Sequence, residues 1–283
     1  MTMRDRILLI DGHNLLFQMF YGMPSKIPGR DGKDIRSVVG FVGAVGKLIR
    51  MCAPTHIAVI FDSETHNPRS DILAEYKANR PDYSDVPEEE NPFTNLKSVY
   101  RALDTLGIRH CEVTDAECDD VIASYAITYK DGYDVVIASH DSDFLQLIGS
   151  GVRVVRYRGD ATVICDGKYV LDKFGTPPEL YIDAKALYGD TSDNIPGIPG
   201  IGPKTAAKLV ISAGGADRLA DDPSLIENPR LSRLIADSRD IIRRNLSLMR
   251  LSATAPLPFA PVELRWDIRS FKTMDVLREI KLI

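Results

Sequence analysis

Three short apolar runs along the chain each end in an aspartate: Arg6 to Asp11 (RILLID), His56 to Asp62 (HIAVIFD) and Asp134 to Asp141 (DVVIASHD). Runs of this length are the pattern of strands buried on both faces. Between them, apolar positions recur at helical spacing over Ser37 to Met51, Pro92 to Leu106 and Asp119 to Tyr129. Strands alternating with helices predict an α/β fold with a mostly parallel central sheet flanked by helices. Ligands of such sheets sit beyond the carboxyl ends of the strands, so the three terminal aspartates are expected along one sheet edge. Val152 to Tyr157 and Ala161 to Cys165 predict a hairpin around Arg158, Gly159 and Asp160. From Lys168 onward the pattern turns helical. This divides the chain into an α/β core over 1–167 and a helical region over 168–283, expected to pack as one unit because acids on both sides point to one site. Asp82 to Pro92 (DYSDVPEEENP) interrupts the rhythm and reads as a loop or a helix-connecting excursion.

Composition narrows the class. With 283 residues, 44% hydrophobic and 27% charged, the chain has the balance of a soluble globular protein. No apolar run approaches a membrane span, and the first apolar stretch is interrupted by Asp11, unlike a signal peptide. A cytoplasmic protein that does not bind membrane is expected. Cys52, Cys111, Cys118 and Cys165 form no Cys-x-x-Cys pair and have no zinc-like spacing with His, so reduced thiols are expected. The net charge of −5 argues at first against a nucleic-acid partner. Nine carboxylates gather in motifs, however, and setting them aside turns the balance positive.

Those nine are Asp11, Asp62, Glu117, Asp119, Asp120, Asp141, Asp143, Asp190 and Asp193. Glu117 and Asp120 share a helix face, with Asp119 turned roughly 100° from Asp120. Acids in a first turn also suit the helix dipole alone. Asp141 and Asp143 follow a strand, and Asp190 and Asp193 lie in GDTSDN; each pair by itself also suits a cap or a turn. Together, so many converging acids would repel strongly without a cation. Oxygen-only ligands with no His or Cys indicate Mg²⁺ or Mn²⁺. Two such ions about 4 Å apart are the standard device for cleaving a phosphodiester.

Gly197 to Ala206 (GIPGIGPKTA) is a helix–hairpin–helix signature. Gly200 and Gly202 let the backbone approach a phosphate, and Lys204, Thr205 and Lys208 follow on the entering helix, whose N-terminus supplies N–H donors. Such contacts fix position on a duplex without reading its sequence.

At this point the residues spell out a resemblance. LLIDGHNL (Leu8 to Leu15), VIFD (Val59 to Asp62), EYKANR (Glu75 to Arg80), AECDDVIAS (Ala116 to Ser124), ASHDSDFLQL (Ala138 to Leu147) and GDTSDNIPGIPGIGPKTA (Gly189 to Ala206) resemble the 5′-nuclease (flap endonuclease) family. The likeness is to the amino-terminal 5′–3′ exonuclease domain of bacterial DNA polymerase I and its free-standing bacterial and phage relatives, over about residues 6–250. It implies a PIN-like or resolvase-like core. It also implies a Mg²⁺-dependent enzyme that hydrolyses DNA at 5′ flaps, branches or 5′ ends in replication and repair, including RNA primer–DNA junctions of Okazaki fragments. Asp11, Asp62, Glu117 and Asp119 would hold the first metal set, Asp141, Asp143, Asp190 and Asp193 the second, and Asp120 would support both. Tyr76, Lys77 and Arg80 would form the base of a helical arch near 76–95. There Lys77 and Arg80 would stabilise the scissile phosphate and Tyr76 would stack on a base. A K⁺ ion would sit on the carbonyls of Leu187, Tyr188, Pro196, Ile198 and Ile201. A monomer associated with the bacterial nucleoid is expected.

The chain departs from the family in carrying Ser142 where some relatives have a basic residue, and in the acids Asp82, Asp85, Glu88, Glu89 and Glu90 along the arch segment. It keeps Asp190 and Asp193, which some free-standing relatives lack. The tail after Trp266 reads as a natural terminus more than a linker. Two other readings stay open on sequence: a non-catalytic branch-binding module, and an RNA-directed nuclease of the PIN type.

Overall fold

The computed structural model describes residues 4–63, 68–114, 116–267 and 270–283. Its core is a six-stranded sheet in the order β3-β2-β1-β4-β5-β6. The strands are β1 (Arg6–Asp11), β2 (His56–Asp62), β3 (Arg109–Val113), β4 (Asp134–Ala138), β5 (Val152–Arg156) and β6 (Val163–Cys165). The first five are parallel and β6 returns antiparallel to β5 as the expected hairpin. The order reverses at β1, so the gap between β1 and β4 is the topological switch point, where ligands bind in open α/β sheets. Register keeps the carboxyl ends level: Asp11 pairs with Ile60, and Ile10 with Ala138.

The alternation of side chains along each strand feeds two cores. Ile7, Leu9, Ile60 and Ile137 face one cluster, and Leu8, Ile10, Val59 and Val136 face the other. The second face is covered by α1 (Gly12–Gly22), α2 (Arg36–Cys52) and α3 (Leu96–Thr105). The first is covered by α4 (Cys118–Tyr129) and by the helical half of the chain. That half comprises α5 (Gly167–Phe174), α6 (Tyr181–Tyr188), the two-residue strands β7 (Gly189–Asp190) and β8 (Ile195–Pro196), α7 (Pro203–Ala213), α8 (Ala216–Asp221), α9 (Pro229–Asp237) and α10 (Arg239–Met249). Each fully buried Leu or Ile contributes roughly 1.5–3 kcal/mol, so both layers are stabilised by their own apolar face.

Two expectations are corrected. The segment over 72–91 forms turns and no α-helix, so the helical arch expected near 76–95 is absent in that form. Pro81 and Pro87 lack the N–H a helix needs. Lys77 has φ 55°, and the Asp82 carboxylate accepts from Ser84 N at 2.9 Å, which favours a turn. Helix resumes only after Asn91, whose side chain caps the turn at Phe93 N (2.8 Å). The second correction concerns the tail. It does not stay with the helical half: α11 (Thr273–Glu279) crosses to the opposite face, where Trp266, Val276, Leu277 and Ile280 join the core beside α2 and α3. Trp266 N donates to Thr55 O and its indole N–H to Leu106 O, both at 2.9 Å. Among the described residues no helix is long and apolar enough to cross a membrane.

Candidate active site

Asp11 ends β1 and caps α1, accepting from Asn14 N at 3.0 Å, while Ser139 Oγ donates to its other oxygen at 2.8 Å. Asp62 ends β2 and accepts from Cys118 N at 2.8 Å, which pins the N-terminus of α4 to the sheet edge. That places Asp119, in the first turn of α4, against the same edge. Burial pushes Asp11 up to about 7, with Asp62 and Asp141 adding to it against the bonds from Asn14 and Ser139. Asp119 is pushed well above the carboxylate range by burial and then by Asp141, Asp11 and Asp62, with Lys77 opposing. Four acids from four separate segments therefore act on one another across the switch point.

A second group adjoins the first. Oxygens of Asp143, Asp190 and Asp193 lie within 4.8 Å of one another. Asp143 N donates to Asp141 Oδ1 at 2.8 Å, so the two groups share a backbone turn. A residue not anticipated from sequence stands among them: Lys185 of α6, 4% exposed, pairs with Asp143 and with Asp190. Burial opposes its charge, but these two carboxylates hold its pKa above the usual lysine range. Burial lifts Asp143 to about 7 against the pull of Lys185, whereas for Asp190 burial is outweighed by Lys185 and Ser192 and the carboxyl is held low.

Glu117 and Asp120 face a third direction. Arg69, 9% exposed, pairs with Glu117 and, at 2.7 Å, with Asp120. Lys77 Nζ reaches Glu117 Oε2 at 3.2 Å. Asp120 Oδ1 also accepts from Ser252 N at 2.8 Å. Its Oδ1 is thus engaged by Arg69 and by the chain after α10. Glu117 Oε1 is buried with no hydrogen-bond partner among the described residues.

The EYKANR segment is stitched to the GDTSDN loop. Lys77 N donates to Asp193 O (3.0 Å), Arg80 to Asp193 Oδ1 (3.1 Å), Asn79 to Thr191 O (3.2 Å), and Asn194 to Glu75 O (2.9 Å). Lys77 Nζ lies 4.9 Å from the centre of the Tyr76 ring. Tyr76 itself is 7% exposed and belongs to the core cluster, so in this conformation it is not presented for stacking on a base. Lys77 and Arg80 do sit beside the acids.

The hairpin after α6 is built on close backbone approach. Gly189 has φ 87°, and a Cβ on Gly197 would meet the Tyr188 carbonyl at 2.2 Å. Gly200 has φ 88°, and a Cβ on Gly200 or Gly202 would meet nothing within 4 Å, so that backbone is open to a ligand. Gly202 caps α7, on which Lys204 and Lys208 are exposed and Thr205 is half-buried. Of the carbonyls expected to hold K⁺, those of Leu187, Ile198 and Pro196 already accept from Ile198 N (2.8 Å), Ile201 N (3.0 Å) and the buried Asn245 amide (2.9 Å). Tyr188 and Ile201 lie in the same hairpin.

The donor chemistry fits hard divalent cations: clustered buried carboxylates with raised pKa values, and an orphaned carboxylate oxygen on Glu117.

Comparison with known proteins shows the family and the fold. Residues 6–175 match the family model of the 5′-3′ exonuclease N-terminal resolvase-like domain, and residues 176–272 that of the 5′-3′ exonuclease C-terminal SAM fold. DNA polymerase I of Rhizobium leguminosarum is 38% identical over 263 residues, covering 89% of this chain and 25% of that protein. Thermostable DNA polymerase I of Thermus thermophilus is 31% identical over 255 residues, covering 90% of this chain and 30% of that protein. The chain thus spans between a quarter and a third of these relatives. A structure of T5 5′-exonuclease with bound zinc has a TM-score of 0.72 at 24% identity, covering 86% of this chain and 89% of that one. The catalytic core of Rad2 in complex with DNA substrate has a TM-score of 0.60 at 16% identity, covering 98% and 86%. The solved structures share the fold. The two adjoining family models together match residues 6–272, and on that ground the chain belongs to the 5′–3′ exonuclease family.

Proposed function

We propose that this chain is a Mg²⁺- or Mn²⁺-dependent nuclease that hydrolyses DNA phosphodiester bonds at 5′ ends, flaps or branches, in replication and repair, including removal of primer-bearing flaps. The observation that carries the reading is the meeting of two acid groups at the sheet's switch point, Asp11, Asp62, Asp119 and Asp141 beside Asp143, Asp190 and Asp193. These residues, with Glu117, would hold the cations. When bound, the cations supply Lewis-acid stabilisation of the charge developing on phosphate and leaving oxygen.

The chain's own groups do the positioning. Ser139 and Asn14 fix Asp11, and Cys118 N fixes Asp62, so the acids are held in place before substrate arrives. Lys77 and Arg80 border the acids and would donate to the scissile phosphate. The open glycines of the hairpin, with Lys204, Thr205 and Lys208, would grip the backbone of the duplex. The test is product mapping on a 5′-labelled double-flap DNA. Cleavage should need Mg²⁺ or Mn²⁺ and vanish in Asp119→Ala; undiminished cleavage in excess EDTA overturns the reading.

A further inference from the structure

The acidic segment between the EYKANR turn and α3 does not hang free. Glu89 pairs with Lys26 at 2.7 Å and Glu88 with Lys33 at 2.6 Å, both lysines lying on the loop between α1 and α2. Tyr83 hydrogen-bonds Tyr21 across 2.9 Å between hydroxyls, and its ring packs edge-on against Phe17 and Phe93 at 5.6 and 5.5 Å. Beneath these contacts runs a cleft of about 250 Å³ lined by Phe20, Lys26, Lys33, Ser37, Glu88 and Thr94.

We propose that Lys26 and Lys33 form a binding site for the phosphodiester backbone of a nucleic-acid strand, and that Glu89 and Glu88 occupy it until a strand displaces them. The proposal rests on the nuclease reading above and goes beyond it, since neither lysine belongs to the acidic site or the hairpin. An ammonium takes a carboxylate or a phosphate oxygen at the same distance and with the same charge. The resident carboxylates are suited to leave: all four side chains are more than half exposed, and ion pairs of that kind are weak and screened by salt. The backbone of the segment is held at its ends and at points between them. Arg80 and Asn79 tie one end to the GDTSDN loop, and the Asn91 cap ties the other to the turn before α3. Between them, Asn91 donates to the Tyr83 carbonyl (3.0 Å) and Thr94 Oγ1 to the Glu88 carbonyl (2.7 Å), so only the two exposed glutamate side chains need turn away to free the lysines. A strand carries many phosphates and releases condensed counterions on binding, so it outcompetes two carboxylates. The acids that make this segment ill-suited to admit DNA thus become stand-ins for phosphate that DNA itself displaces.

The experiment is equilibrium binding of fluorescein-labelled 5′-flap DNA to the full chain in EDTA, by anisotropy, as salt is varied. Glu88→Gln/Glu89→Gln should bind about three- to tenfold more tightly at low salt, with a salt dependence steeper by up to about 1.8 in log–log slope, two phosphates' worth. Lys26→Gln/Lys33→Gln should bind more weakly. Adding the two glutamate changes to the lysine-free variant should bring no gain, because the carboxylates act only through those lysines. If the glutamate changes tighten binding equally without the lysines, general charge is responsible and the proposal is overturned. It is also overturned if they leave affinity unchanged in an otherwise binding-competent protein. A wild-type chain that binds no flap DNA at all would instead take down the nuclease reading, and this one with it.

Discussion

Lys77 donates its backbone N–H to the carbonyl of Asp193 at 3.0 Å, joining residues 116 positions apart in sequence. The bond holds Lys77 where its side chain reaches Glu117 and crosses the ring of Tyr76. A cation anchored by its own main chain beside an acid cluster needs little reorganisation to meet developing charge. Lys77→Ala should therefore lower the single-turnover cleavage rate by about 10²–10³-fold, with little change in affinity for flap DNA. A variant that cleaves normally but binds poorly would assign Lys77 to docking alone.

Lys185 serves as a built-in counter-charge for Asp143 and Asp190. Replacing it by methionine leaves buried carboxylates uncompensated, a loss of about 3–5 kcal/mol in buried pairs. Lys185→Met should melt well below wild type in EDTA. Mn²⁺ should then raise its melting temperature more than it raises that of wild type, because the cation substitutes for the missing ammonium. Equal melting of the two proteins in EDTA would show that the ion pair contributes nothing.

At the hairpin, the Gly197 backbone lies against the Tyr188 carbonyl with no room for a methyl group. The Tyr188 carbonyl and the Gly189 nitrogen beside it are main chain and cannot step aside as a side chain would. Gly197→Ala should cost about 3 kcal/mol, at the upper end for overpacking, read as a lower urea midpoint, and it should weaken duplex binding. Gly202→Ala, which meets nothing, should leave the midpoint close to wild type.

His56 gives the clearest pH dependence away from the acids. Burial, helped by Arg265, lowers its pKa below the ordinary 6.5, with Asp5 and Asp267 opposing. The folded state therefore binds a proton less well than the unfolded chain. Its contribution to stability is present above pH about 6.5 and is lost as pH falls through the depressed value. Going from pH 8 to 5.5 should lower the melting temperature of wild type more than that of His56→Gln. Parallel curves would rule the histidine out.

How much of this was legible in the sequence follows from which signals are local. The strands that end in Asp11 and Asp62, and β4, which stops at Ala138 short of the expected Asp141, were readable because uninterrupted apolar runs need no partner to be recognised. β3 was not: RHCEV is an edge strand, polar on its outer positions, and resembles a loop until β2 pairs with it. The acids were readable as motifs, but their counter-ions were not. Lys185 sits in a helix whose surroundings are apolar only once α7 and α10 have packed on it, and Arg69 meets Glu117 from 48 residues away. Asn245 likewise looks like an ordinary helix asparagine until its amide meets the Ala186 and Pro196 carbonyls at 2.8 and 2.9 Å. The arch segment misled for a related reason: the motif implied a shared shape, while its prolines and Asx turn favoured another.

The return of the C-terminal segment has a consequence for how the molecule comes into being. Trp266, Val276, Leu277 and Ile280 share a core with Leu8 and Ile10 of the first strand, and Leu282 O accepts from Arg30 N at 2.7 Å. A nascent polypeptide leaving the ribosome N-terminus first would lay α1, α2 and α3 on that face well before Trp266 and α11 emerge to fill the rest of it. The first strand therefore completes its apolar contacts on that face only once Trp266 and α11 have been made.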